Sequence, residues 1–81
     1  MKSKKRYKYT VLLMNDNVNS FDHVSQCLMD ICNHNFYQAI QCANIVHTTG
    51  RCEVFTSDKE EVETIYGILK EEGLSVDIIK R

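Results

Sequence analysis

Apolar positions along this chain keep changing their spacing, and each change predicts a new element. Tyr7, Tyr9, Val11 and Leu13 alternate with Lys8 and Thr10, the period-two pattern of a half-buried strand that ends at Asn15. Helical spacing then takes over. Phe21, Val24, Cys27, Leu28, Ile31 and Cys32 form one apolar stripe, with Asp22, Ser25, Gln26 and Asp30 facing outward. Asn19 or Ser20 is a natural cap for this helix, and Asp22 places a carboxylate in its first turn. After a corner at Asn33 to Asn35, a second stripe runs through Phe36, Ala39, Ile40, Ala43 and Val46, and His47 falls on the same face. "TTGRCEVFTS" predicts a turn at Gly50 and a strand from about Arg51 to Phe55, after which Ser57 or Asp58 caps a third helix. That helix is buried through Val62, Ile65, Tyr66 and Leu69, Gly73 stands where a left-handed C-cap is expected, and "LSVDIIK" is a closing strand. The order β-α-α-β-α-β predicts an α+β domain, a three-stranded antiparallel sheet with three helices packed on one side.

Composition narrows what such a domain can do. With 81 residues, 43% of them hydrophobic, the chain builds one modest core and has little room for a deep, multi-part active site. No proline, repeat or Gly/Ser linker marks a boundary, so residues 7–81 are expected to form a single domain behind a short basic arm, Met1 to Arg6. Five of the ten basic residues lie in the first eight positions; the remainder has five basic against eleven acidic residues, which makes nucleic acid a poor partner for the folded part. The apolar run Val11 to Met14 is far short of the ~7–15 residues of a secretory core or the ~18 of a membrane span, which points to a cytoplasmic protein. In that setting Cys27, Cys32, Cys42 and Cys52, which contain no CxxC pair, are expected to be reduced and to serve as small apolar residues.

The corner "NDNVNS" concentrates polar groups where a strand hands over to a helix. Backbone donors left unpaired at such a corner are commonly satisfied by Asn, Asp and Ser, which accounts for Asn17, Asn19 and Ser20. Asn15 and Asp16 precede the cap by several residues, and their oxygens would point out of the strand end. His47 offers a neutral imidazole acceptor one helical turn beyond Ala43, although a lone histidine on an apolar face is commonly a satisfied core residue. An amide oxygen, a carboxylate and an imidazole nitrogen together suit a primary ammonium, which has three donors. Metal binding is a weaker reading: His23 and Cys27 are four apart on one helix face, and His34 is available, but the spacing fits no common zinc pattern, so no metal and no cofactor is expected. Catalysis by a cysteine with His47 needs an activated, accessible thiol, and phosphate binding needs a glycine loop that Gly50, Gly67 and Gly73 do not form. An enzyme is not expected.

"VLLMNDNVNSFDHV", "CANIVHTTGRCEVFT" and "EEGLSVDI" together resemble the ClpS family of adaptors for ATP-dependent Clp proteases, over Tyr9 to about Ile79. The resemblance implies an N-degron adaptor that binds the exposed amino-terminal residue of a substrate and hands it to the amino-terminal domain of a hexameric Clp ATPase. It implies that Asn15, Asp16 and His47 hold the substrate α-ammonium, and that Asn19, Phe21, Val24, Ala43 and Leu74 line an apolar pocket for a large hydrophobic side chain (Leu, Phe, Tyr or Trp). Charge-assisted hydrogen bonds would select a free terminus, and burying the side chain would add roughly 1.5–3 kcal/mol. This sequence departs from the family pattern at several of these places. Asn19 replaces a Thr, Phe21 a gating Met, and Ala43 another Met; the segment between His47 and Cys52 is two residues shorter. For ATPase docking the acidic contact corresponds to Asp58, whereas the basic one corresponds to Glu63, a reversal of charge. The alternative reading is a module that docks on the ATPase and changes its substrate choice without reading amino termini.

Overall fold

The computed structural model describes residues 8–80, so the basic arm Met1 to Arg6 lies outside the described residues. Six elements follow in order: β1 (Tyr9–Met14), α1 (Phe21–Ile31), α2 (Phe36–Thr49), β2 (Arg51–Ser57), α3 (Lys59–Glu71) and β3 (Ser75–Lys80). The strands form one antiparallel sheet in the order β2-β1-β3, so the first strand of the chain becomes its centre. Val11 and Leu13 lie opposite Ile78 and Val76 on β3, and with Val54 they meet Leu28 of α1, Ala39 and Val46 of α2, and Val62 and Leu69 of α3 in one core. The expected α+β architecture is the one observed.

Local chemistry sets each helix boundary. Ser20 caps α1 by accepting from the His23 N–H, and Asn35 caps α2 in a capping box with Gln38. Asp58 caps α3 by accepting from the Glu61 N–H. Helix α2 ends at Gly50, whose φ of 100° demands the left-handed region, and β2 begins at the next residue. Gly73 (φ 86°) closes α3: its N–H donates to the Lys70 carbonyl and the Leu74 N–H to the Leu69 carbonyl, the pair of bonds of a Schellman motif.

Four details differ from the sequence expectation. Thr10 is completely buried, because β1 is the middle strand and has neighbours on both edges; its hydroxyl pairs with that of Thr56 at 2.9 Å. Strand β2 runs on to Ser57 and carries a bulge, since Val11 and Leu12 lie opposite Phe55 and Glu53 and leave Val54 as the extra residue. The Val54 carbonyl accepts from His34 Nε2 at 2.7 Å, which ties the α1–α2 corner to the sheet. Ser25 is buried rather than outward, at no cost in unpaired groups, because its hydroxyl donates to the Asp22 carbonyl of its own helix. Phe36 is 67% exposed despite belonging to the apolar stripe. Side chains tilt toward a helix N-terminus, so a bulky group at the first position projects past the end of the helix and off the core.

Candidate functional site

One backbone hydrogen bond brings the site together. The Asn15 N–H, just beyond the end of β1, donates to the Gly50 carbonyl at 2.9 Å, and the Gly50 N–H in turn donates to Val46 in the last turn of α2. The strand end and the helix end are thereby fixed side by side, and Asn15 comes to the same cleft as His47 although 31 residues separate them along the chain. Neither side chain has a hydrogen-bond partner among the described residues, so an amide and an imidazole remain available to a ligand.

Asp16 is placed differently. Its Oδ1 accepts from the Val18 and Asn19 N–H groups, both at 2.9 Å, while Oδ2 accepts from Asn19 Nδ2 at 2.9 Å and from the Ser75 hydroxyl at 2.8 Å. A carboxylate has about four lone-pair directions, and these four donors occupy them. The Asn19 backbone bond, opposed by partial burial and reinforced by Ser75, Val18 and the Asn19 amide, holds the carboxyl down at about 2. Asp16 is therefore a permanent negative charge at the cleft, and its acceptor positions are already filled. Asn19 extends the same network by donating from Nδ2 to the Gly73 carbonyl at 2.9 Å, which attaches the corner to the turn after α3.

Between these polar groups lies a cleft of about 280 Å³ lined by Asn15, Asp16, Asn17, Asn19, Phe21, Val24, Ala43, Val46 and His47. That volume is at the small end of the ~300–1,000 Å³ of small-molecule sites and suits one large side chain better than an extended ligand. Val24, Ala43 and Val46 supply the apolar wall. Phe21, the first residue of α1, projects past the helix end as Phe36 does and is 39% exposed at the mouth. The cleft thus has a polar side with a fixed negative charge and an apolar side of small residues. Such a division suits a ligand with a cationic head beside a hydrophobic group, and no cysteine, serine, threonine or lysine is among the residues that line it.

Comparison with known proteins identifies the family. Residues 4–77 match the family model described as "ATP-dependent Clp protease adaptor protein ClpS". The chain belongs to the ClpS family. It is 34% identical over 76 residues to the ATP-dependent Clp protease adapter protein ClpS of Thermosynechococcus vestitus, covering 91% of this chain and 81% of that protein. The ClpS adapter of Synechocystis sp. is 33% identical over 69 residues, covering 84% of this chain and 70% of its own. The fold matches Agrobacterium tumefaciens ClpS2 bound to L-phenylalaninamide with a TM-score of 0.83 and 19% identity, covering 95% of this chain and 100% of that one. No helix among the described residues is long and apolar enough to cross a membrane.

Within this ClpS-family chain, the residues singled out from the sequence separate into three groups. Asn15, Asp16, Asn19, Phe21, Val24, Ala43 and His47 all line the cleft. Leu74 does not. It is 4% exposed within the core, because the Schellman motif after α3 turns the residue following Gly73 inward. Asp58, the cap before α3, and Glu63, on α3, are exposed and take no part in the cleft. Sequence reasoning missed Asn17 and Val46 as lining residues and Ser75 as the partner of Asp16. Asn17 had a signal, since a corner of this length holds more polar side chains than its helix cap requires. Ser75 had none, because its contact spans 59 residues.

Proposed function

We propose that this ClpS-family adaptor binds the free amino terminus of proteins that begin with a large hydrophobic residue, Leu, Phe, Tyr or Trp, and delivers them to the amino-terminal domain of a hexameric Clp AAA+ ATPase. One observation carries the reading: two unspent acceptors, Asn15 and His47, and the fixed charge of Asp16 stand beside an apolar cleft of side-chain size. The α-ammonium donates to Asn15 and His47, and Asp16 attracts it through charge while its own lone pairs hold the corner in shape. The first side chain enters between Val24, Ala43 and Val46, under Phe21. Ala43 leaves room in the wall, which suits aromatic rings as well as Leu. The chain itself makes and breaks no bond, and the exposed start of α3, with its cap Asp58 and with Glu63, is its contact with the ATPase. The phenylalaninamide bound to Agrobacterium tumefaciens ClpS2, an amino acid amide with a free amine, is a ligand of the same chemistry.

Fluorescence-anisotropy titration with otherwise identical peptides that start with Leu, Phe, Tyr, Trp or Ala, each free or acetylated, tests this. The expected result is binding of the free large-hydrophobic set, weak binding of Ala, and loss on acetylation, which removes the charge. Absence of binding by every peptide would leave the ATPase-docking module as the function.

A further inference from the structure

Away from the cleft, α1 and the end of α3 bring together a second set of reactive side chains. His23 and Cys27 lie one turn apart on α1, and Glu72 follows the last helical residue of α3. The ligand atoms His23 Nε2, Cys27 Sγ and a Glu72 carboxylate oxygen all lie within 4.8 Å of one another. His23 Nε2 is 3.7 Å from Cys27 Sγ. Zinc bond lengths of about 2.3 Å to sulfur and 2.0–2.1 Å to nitrogen, at a tetrahedral angle, place these two atoms about 3.6 Å apart. We propose that His23, Cys27 and Glu72 form a binding site for a divalent cation of the zinc class, with solvent in the fourth position.

The expectation of no metal gives way here because the third ligand comes from the other end of the chain, 49 residues beyond His23, where no spacing rule reaches. In the metal-free protein, His23 Nε2 donates to the Glu72 backbone carbonyl at 3.0 Å. That bond alone would explain a histidine at this place as a cap on the last carbonyls of α3. It does not explain why a thiol and a carboxylate converge on the same nitrogen. Cys27 is flanked by the carboxylates of Glu72 and Asp30, so the surroundings of the sulfur are negative, and the C-terminal end of α3 adds the negative pole of a helix. A thiolate, an imidazole and one carboxylate select zinc or cobalt over magnesium or calcium. On binding, the ring proton moves to Nδ1, the thiol proton leaves to solvent, and the exposed Glu72 side chain swings in. The ion would then clasp α1 to the turn whose next residue, Gly73, accepts from Asn19.

The reduced full chain, stripped with a chelator, is titrated with Co²⁺ and then Zn²⁺ while absorbance and melting temperature are followed. We expect one ion per chain, a thiolate-to-cobalt charge-transfer band bleached by zinc, and a melting temperature that rises with ion concentration. Cys27→Ser should abolish the band. Glu72→Gln, at an exposed position that leaves folding intact, should weaken binding at least about tenfold. A variant with Cys42 and Cys52 both changed to Ala should keep the band. Absence of saturable binding below about 100 μM would overturn the proposal, as would an affinity unchanged in Glu72→Gln or a band that vanishes only with Cys42 and Cys52.

Discussion

Two corners of this fold join a strand to a helix, and they are built to different ends. Between β2 and α3 the connection is a single residue, Asp58, whose carboxylate accepts one backbone N–H and caps the helix. Between β1 and α1 the connection runs from Asn15 to Ser20, the cap is left to Ser20, and Asp16 collects four donors, one of them from β3. A helix start needs only the first arrangement. The surplus in the second is what forms the polar side of the cleft, so two aspartates before two helices do unlike work.

The sharpest test of that contrast is a pair of truncations. Asp16→Ala should cost about 2 kcal/mol in denaturant unfolding, a figure already reduced for the solvent screening of a partly exposed carboxylate, whereas Asp58→Ala should cost about 1 kcal/mol as a lost cap. Equal costs would mean that the Asp16 network is only another cap. The same pair separates in acid. Because the folded carboxyl of Asp16 is lowered from 3.8 to about 2, its stabilisation is complete above about pH 4 and is lost as the pH falls through 2. Stability measured from pH 5 to 2 should therefore decline more steeply in the parent than in Asp16→Ala.

Next in size, His47→Ala should weaken binding of a free Phe-initiated peptide at least about tenfold, or about 1.4 kcal/mol, with unfolding unchanged, since the exposed ring bonds nothing among the described residues. A loss of stability in place of affinity would make His47 structural. Smallest is Ser75→Ala, which removes one of the four donors to Asp16 and should cost about 1 kcal/mol with a weaker loss of affinity than His47→Ala. If Ser75→Ala abolished binding, the charge and position of Asp16 would matter more than the free acceptors do.

Most of the fold was legible because its boundaries are written in local chemistry. Ser20, Asn35 and Asp58 act within three residues of themselves, and Gly50 and Gly73 end helices through their own φ angles. Contacts across the chain were not legible. Thr10 looked half-exposed until β1 proved to be central, the Val54 bulge depends on pairing with β1, and Leu74, placed in the pocket by resemblance, has nothing in its neighbourhood that states which way a Schellman turn will face it. The site divides along the same line. Asn15, Asp16 and His47 stand out by type and by resemblance, whereas Ser75 and Glu72 acquire roles only when β3 and the end of α3 are brought against α1.

Phe21 has a consequence for how such a protein diversifies. The ring hangs past the first turn of α1 into the mouth of the cleft and is excluded from the core, and its neighbour in the loop, Val18, is 87% exposed. Change at Phe21 alters the entrance, and change at either position leaves the core untouched, whereas change at Asp16 loosens bonds to three other residues. Descendants of this sequence can thus drift at the mouth of the cleft long before they lose the corner that Asp16 holds in shape.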